Sequence, residues 1–517
     1  MDGPDGLDLA RDKMRDAGVP DVAIKVFEHG YHLLEEGETG ILPESDVEPL
    51  TDVARAADLE SAGDDEAARD ALSRTAFIRL NGGLGTSMGM QRAKSLLPVR
   101  GDLTFLDVIA RQVLAARERH GVRLPLVLMN SFRTRDDSLA ALAAYPDLPV
   151  DGVPQDFLQN RETKLLADDL APVEWPADPE LEWCPPGHGD LYTALQTSGT
   201  LEALRAAGFR YAAVANADNL GSAPSAAMAG WFASTGAGFG AEVARRTPAD
   251  RKGGHLVVRA SDHRIVLRET AQIADEDKDA ASDIERHLFF NTNNLWLDLD
   301  RLADLLAAHD GVLPLPLIRN EKTVDPTDPS SPRVVQIETA MGAAIELFED
   351  AAVIEVGRER FLPVKTTDDL LRLRSDVYAL GDDGTVRATV PEPEITLDPD
   401  HYRTVADFDA RFPQGVPSLV LAESLVVEGD WSFGAAVSVV GHARLTAPAD
   451  GAQGTVPDDA TVGAEGVVEP EAKRDVPVDL SDLGEPAAPE GDGSADDGSA
   501  DGGSADGGSV EKAHPQG

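Results

Sequence analysis

The stretch Leu80-Asn81-Gly82-Gly83-Leu84-Gly85-Thr86-Ser87-Met88-Gly89, followed by Lys94-Ser95, most restricts what this chain can fold into. A short apolar run, Ala76-Phe77-Ile78-Arg79-Leu80, precedes it and reads as a buried strand. An amphipathic helix follows from near Thr104, with Thr104 as N-cap and Phe105, Ile109 and Val113 at helical spacing. A glycine-rich turn between strand and helix lets main-chain N–H groups approach an anion without Cβ interference. Two familiar phosphate loops do not fit. A P-loop needs glycine where Ala93 stands, and the dinucleotide fingerprint needs closer spacing than that of Gly83, Gly85 and Gly89. The plainer alternative is a surface turn, but glycines packed this densely after a buried strand and ahead of a lysine point to phosphate.

Charge sharpens that reading. The 517 residues carry a formal net charge of −46, which argues against nucleic acid and anionic membrane surfaces as partners. Such a chain repels phosphate unless it builds a local positive pocket. Lysine is scarce, so Lys94 and Lys365 stand out as phosphate-binding point charges. An acidic chain that prefers Arg to Lys fits a halophilic host; a GC-rich genome gives the same codon bias. The length allows two or three domains. No apolar run reaches the ~18 residues of a membrane span. The acidic start Met1-Asp2-Gly3-Pro4-Asp5 lacks a signal-peptide core, and Cys184 is the single cysteine, so a cytoplasmic protein without an internal disulfide is expected.

Along the chain, residues 1–73 read as a helical preface. Leu7, Ala10 and Met14 share one helix face, Val22, Val26, Phe27, Tyr31 and Leu34 share another, and 56–73 is expected to be an exposed helix or loop. Residues 74–384 alternate strands with helices. Strands are expected over 124–129, 209–216, 289–296 and 351–356, a helix over 301–309, and a strand running into a helix over 334–349. This order implies an α/β domain with a mostly parallel sheet and ligands at the carboxyl ends of its strands. Residues 385–469 lose helical periodicity. Short strands over 385–390, 418–427 and 435–440 suggest a small β domain, plausible as a short β-helix. Residues 470–517 form an acidic low-complexity tail, expected to be disordered.

Four clusters carry candidate chemistry. Cys184-Pro185-Pro186-Gly187-His188-Gly189-Asp190 is a rigid turn that presents His188, able to donate to a phosphate oxygen, although a lone His is commonly structural. Asn216-Ala217-Asp218-Asn219 places one carboxylate at a strand end, a first ligand for Mg²⁺ or else an N-cap. The amides of Asn291-Thr292-Asn293-Asn294 suit sugar hydroxyls or turn capping. Lys365, beside Thr366, is a second cation for phosphate or an ordinary surface residue.

The glycine stretch through Lys94-Ser95 is joined by Leu128-Met129-Asn130-Ser131-Phe132, Pro185-Pro186-Gly187-His188-Gly189-Asp190 and Asn216-Ala217-Asp218-Asn219-Leu220-Gly221. Lys252-Gly253-Gly254, Asn291-Thr292-Asn293-Asn294-Leu295-Trp296 and Phe361-Leu362-Pro363-Val364-Lys365-Thr366-Thr367 complete the series. In this order they resemble the eukaryotic-type UTP–glucose-1-phosphate uridylyltransferases (UDP-glucose pyrophosphorylases) over roughly residues 7–380. The chain departs at Met90-Gln91-Arg92-Ala93, where the family more often has Gly-Pro before the lysine, and at Cys184, where an aromatic residue is common. The resemblance implies a Rossmann-like nucleotidyltransferase domain with a C-terminal left-handed β-helix. It implies that Leu80, Asn81, Gly82 and Gly83 line the nucleotide, with Lys94 on its phosphates. Gln159 would read uracil with the backbone of Gly187, and His188 would touch the sugar phosphate. Asn216, Ala217 and Asp218 would lie by ribose, sugar and metal, with Asp218 on Mg²⁺. Glu269 and Asn293 would hold glucose hydroxyls, and Lys365 would bridge the two phosphate groups. UTP and glucose 1-phosphate are the implied substrates; the oligomeric state stays open. The rivals are a pyrophosphorylase for other sugar 1-phosphates and a non-catalytic UDP-sugar sensor. The Asn-Gly-Gly-Leu-Gly-Thr-Ser-Met form of the loop favours glucose, and the joint presence of Lys94, Asp218 and Lys365 argues against a sensor.

Overall fold

Alternation along one strand, Thr75–Asn81, builds the two halves of the core. Phe77 joins one buried cluster with Leu126, Leu128, Tyr211 and Ala213. Ala76 and Ile78 join the other with Val127, Met129, Ala212 and Val214. Both faces of the sheet are covered, so its inner strands are largely buried and mostly apolar, with buried exceptions such as Arg79 and Glu242. The structure, a computed structural model, describes residues 6–59, 65–247, 250, 253–448 and 451–468. The low-complexity tail and Lys252 lie outside the described residues. Among the described residues no helix is long and apolar enough to cross a membrane.

The central sheet runs in the order Ala54–Arg55, Ala352–Val356, Phe239–Arg245, Phe289–Asp298, Tyr211–Asn216, Thr75–Asn81, Leu126–Asn130, Asp156–Leu158. Neighbours on this path pair in parallel. The exception is Phe289–Asp298, antiparallel to both of its neighbours. It is reached through the hairpin of His255–Arg259 and Ile265–Arg268 rather than a helical crossover, so its direction is free to reverse. Parallel pairing of Tyr211–Asn216 with Thr75–Asn81 sets Asn216 opposite Leu80. The Ala217 N–H then donates to the Leu80 carbonyl at 3.1 Å. The turn after Asn216 and the glycine loop therefore leave the sheet side by side.

Several expectations need correction. The helix Asp21–Glu35 buries Ala23, Ile24, Phe27, Gly30, Tyr31 and Leu34, leaving Val22 and Val26 half-buried. Its contact face is centred on Ile24, Phe27, Tyr31 and Leu34, with the valines at its margin. The charged stretch before residue 74 contains a helix, Glu66–Ser73, with a buried face of Ala68, Ala71 and Leu72. That face is too small to register against the surrounding charge. After the strand Arg333–Glu338 comes a 3₁₀ turn, Met341–Leu347, instead of an α-helix. Helices also persist beyond 384, as Pro399–Tyr402 and Val405–Arg411, capped by Asp398 and Thr404. Around them Glu394–Leu397, Ser418–Val427, Ser438–Leu445 and Thr461–Gly463 pair in parallel succession. Trp431–Phe433 and Gly454–Val456 form a second parallel pair between those turns of chain. One buried apolar cluster continues from Phe77 in the central sheet to Val462.

A charged group lies inside this apolar frame. Glu242 is 1% exposed and sits where the pairing of Phe239–Arg245 with Phe289–Asp298 slips at a bulge. Its carboxylate accepts two bonds from Arg360, each 2.8 Å. It also accepts from Trp296 Nε1 at 2.9 Å and from Asn294 Nδ2 at 3.1 Å. Arg79 is buried nearby; burial, then Arg360, push its pKa down to about 9, with Glu242 opposing. Glu242→Gln leaves two buried guanidinium groups without their counter-charge. A loss of about 3–5 kcal/mol in urea unfolding is expected; a loss under about 1 kcal/mol would show that the carboxylate does not hold the sheet.

Candidate active site

The glycine loop begins on a fixed amide. Buried Asn81 donates through Nδ2 to Asn130 Oδ1 and Ser138 Oγ, both at 2.8 Å. Beyond it the chain forms short 3₁₀ turns, Thr86–Met88 and Lys94–Leu96, before the helix Phe105–His120 starts at the Thr104–Asp107 capping box. The Lys94 N–H donates to the Gly83 carbonyl at 3.0 Å, which folds the loop back on itself. Ala93 is buried and Arg92 pairs with Asp137 at 3.2 Å on the surface. Met90-Gln91-Arg92-Ala93 thus holds Lys94 facing inward without Gly-Pro. Gly82 lies close under the Gln159 amide: a Cβ there would stand 2.6 Å from Gln159 Oε1 and displace that side chain.

A cavity of about 480 Å³ lies against this loop. It gathers Leu80, Asn81, Gly82, Gly83, Lys94, Gln159, Gly187, His188, Asn216, Ala217 and Asp218 from four separate parts of the chain. Gly187 has φ +78°, and a Cβ there would meet the Thr339 carbonyl oxygen at 2.5 Å, so the turn presenting His188 is fitted to glycine. Lys365 lines a second cavity of about 220 Å³, with Asp250, Phe290 and Arg358. Its Nζ lies 5.8 Å from the Phe290 ring centroid. Glu269 and Asn293 lie outside the glycine-loop cavity. Burial pushes the Glu269 carboxyl pKa up, with Lys365 opposing that shift. Asn293 has φ +58° and is held by Asn291, whose Nδ2 donates to its Oδ1 at 3.0 Å.

The electrostatics of the main cavity are specific. Lys94 Nζ pairs with Asp218 Oδ2 at 2.5 Å, both side chains about four-fifths buried. The Met341 N–H donates to His188 Nδ1 at 2.9 Å, so the ring proton of the neutral imidazole is on Nε2. Burial pushes the His188 pKa down to about 4, so it is a neutral donor at physiological pH. Asp218 is the one carboxylate facing this cavity, and among the described residues no cluster of three or more His, Cys, Asp or Glu forms a metal cage. That donor set fits Mg²⁺, which commonly takes one or two carboxylates and completes its shell with water and phosphate oxygens.

Residue reading missed the groups that join the two cavities. Asn219 Oδ1 accepts from the Leu362 N–H at 2.8 Å. Its Nδ2 donates to Asn294 Oδ1 at 3.0 Å and to the Arg360 carbonyl at 3.2 Å. The segment ending in Lys365 is thereby tied to the residue after Asp218. Asn219 was visible within its motif, but its partners lie far along the chain, and Arg360 carried no signal of its own.

A family model described as UTP–glucose-1-phosphate uridylyltransferase matches residues 24–439. The protein of that name from Solanum tuberosum is 38% identical over 406 residues, covering 77% of this chain and 82% of the relative. That from Saccharomyces cerevisiae is 38% identical over 375 residues, covering 72% and 73%. Among solved structures, a mutant UDP-glucose pyrophosphorylase from Leishmania major in complex with UDP-glucose matches with TM-score 0.83 at 39% identity, over 89% of this chain and 98% of that chain. A Trypanosoma brucei protein described as UDP-glucose phosphorylase matches with TM-score 0.81 at 40% identity, over 89% and 100%. The fold, the motifs and these likenesses agree, and the chain belongs to the UTP–glucose-1-phosphate uridylyltransferase family.

Proposed function

We propose that this chain transfers uridylyl from UTP to glucose 1-phosphate, giving UDP-glucose and pyrophosphate. The observation that carries the proposal is the convergence of Lys94, Asp218, His188 and Gln159 on one cavity beside the glycine loop. Glucose 1-phosphate is largely a dianion near neutral pH, since a phosphomonoester has its second pKa at about 6. Its oxygen attacks the α-phosphate in line without a general base, and pyrophosphate leaves. The protein's tasks are to align two polyanions and to screen their repulsion.

In this reading Leu80, Asn81, Gly82 and Gly83 line the nucleotide, and Gln159 with the Gly187 backbone reads uracil. Neutral His188 donates Nε2–H to the sugar phosphate. Asn216 and Ala217 flank ribose and sugar, while Glu269 and Asn293 take glucose hydroxyls. Lys94 exchanges its Asp218 partner for the nucleotide phosphates, which frees Asp218 to hold Mg²⁺. The metal supplies, when bound, further screening at the α-phosphate. Lys365 bridges the two phosphate groups; the tie from its segment to Asn219 supports that placement.

The proposal extends to organisation and setting. Residues 1–73 form a helical preface, 74–384 the catalytic domain and 385–469 a short β-helix, supported by the succession of parallel pairs there; the acidic tail over 470–517 lies outside the described residues. The setting is cytoplasmic and saline, in keeping with the charge of −46. Molar KCl is expected to raise both activity and melting temperature, and a flat response would remove the saline setting.

The direct assay is pyrophosphate release from UTP and Mg²⁺ with a panel of sugar 1-phosphates. Glucose 1-phosphate is expected to be the best substrate; release with none of them would remove the activity. Lys94→Ala and Lys365→Ala are each expected to lower kcat by about 10²–10³-fold while changing the KM for glucose 1-phosphate far less. A near-normal kcat would take that residue out of the chemistry. His188 has its folded pKa near 4, below its ordinary 6.5, so the unfolded chain takes up the proton first. Its contribution to stability is therefore complete above pH 6.5 and is lost as pH falls toward 4. The stability gap between wild type and His188→Gln should narrow across that window, and a constant gap would mean that the ring is not desolvated.

A further inference from the structure

Asp190 closes the turn that carries His188 and stands at the entrance of the helix Leu191–Thr197. An Asp in that position ordinarily caps its own helix. Here both carboxylate oxygens are engaged elsewhere. Oδ2 accepts the Asn160 main-chain N–H at 2.6 Å, and Oδ1 accepts from Asn160 Nδ2 at 2.7 Å. The pair is enclosed: Asp190 is 4% and Asn160 8% exposed. A buried carboxylate is expensive unless its hydrogen bonds are made, so both bonds are under strong pressure to persist together.

The placement of these bonds is what matters. Asn160 follows Gln159, whose N–H donates to the Asn130 carbonyl at 2.8 Å and whose side chain lies against Gly82. Asp190 follows His188 and Gly189, and the Gly189 N–H donates to the Thr339 carbonyl at 2.8 Å. Gln159 and Gly187 thus reach the cavity from two different parts of the chain: one just beyond the edge strand Asp156–Leu158, the other on the turn before a helix. The Asn160–Asp190 bonds tie those two parts to each other.

A glutamine amide reads uracil with its oxygen on N3–H and its nitrogen on O4. Rotated by half a turn, the same amide reads cytosine, with its nitrogen on N3 and its oxygen on the N4 amine. The Gly187 main chain, which would meet the same base, tells the two readings apart only if its distance from Gln159 is fixed. We propose that Asp190 and Asn160 form a positioning pair that locks the base reader and so sets the preference for uracil over cytosine nucleotides. This rests on the reading of Gln159 and Gly187 as the groups that meet the base.

The test compares kcat and KM for UTP and CTP, by pyrophosphate release, in wild type, Asp190→Asn, Asn160→Asp, the double exchange, Asn160→Ser and Gln159→Ala. Asp190→Asn is expected to raise KM for UTP by about tenfold with kcat within about threefold, and to lower the UTP-over-CTP preference by about tenfold. The double exchange can restore both bonds: the amide at position 190 donates to the carboxylate at 160, and its oxygen accepts the main-chain N–H. It is expected to regain most of the preference, which loss of packing alone would not allow. Asn160→Ser keeps the main-chain bond and removes the side-chain one, and is expected to fall between Asp190→Asn and wild type even if the charge-altering variants fold poorly. Wild-type preference in Asp190→Asn or Asn160→Ser, or no recovery in a folded double exchange, would overturn the pair. Unchanged preference in Gln159→Ala would instead overturn the base-reader assignment on which it rests.

Discussion

Glu242 is the group on which the geometry of the site depends. A carboxylate buried in a sheet is unfavourable unless its acceptor capacity is filled, and here Arg360, Trp296 and Asn294 fill it. The partners come from two distant parts of the chain. Asn294 and Trp296 lie on the bulged strand that carries Asn293, and Arg360 opens the segment that leads to Lys365. Asn219, bonded to both Asn294 and the Arg360 carbonyl, brings in the turn that carries Asp218. The elements that carry Asn293, Asp218 and Lys365 are therefore set in mutual register around one buried charge.

The same device recurs beside the glycine-loop cavity. Asp190 is a second buried carboxylate filled by protein donors, and it fixes the segments of Gln159 and His188. Between these two anchors the cavity is sparingly charged. Lys94 and Asp218 neutralise each other, and His188 stays neutral because burial resists its proton. A strongly acidic protein can thus line a cavity with a lysine and no standing excess of positive charge.

Much of this was legible in sequence because it was local. The strand Thr75–Asn81 announced itself by apolar residues before glycines, and the helix Phe105–His120 by Thr104 as N-cap and the spacing of Phe105, Ile109 and Val113. The residues that converge on the main cavity sit at strand ends and in turns whose composition is unusual within a few positions. What escaped was long-range or compact. Glu242 meets Arg360 across more than a hundred residues, with nothing beside either to mark the other. The reversed direction of Phe289–Asp298 follows from an intervening hairpin rather than from its own residues. The helix Glu66–Ser73, with its buried alanine face, and the short helices near residue 400 run for little more than two turns at most, too few to repeat the pattern that reveals a helix.

The sheet's outer pairing has a consequence for how the chain is made. Arg55 lies against Glu355, so an edge strand emitted early must wait for one emitted much later. The chain between them is about 300 residues, and at roughly 5–20 residues per second its synthesis occupies on the order of 15–60 s. During that interval apolar strands such as Tyr211–Asn216 and Phe239–Arg245 are on the nascent chain while the sheet is still open on that side. Mutual repulsion among the excess of carboxylates, part of the overall charge of −46, keeps neighbouring nascent chains apart until the last strand arrives. The acidity that makes phosphate hard to bind in the finished enzyme is, on the ribosome, a safeguard against aggregation.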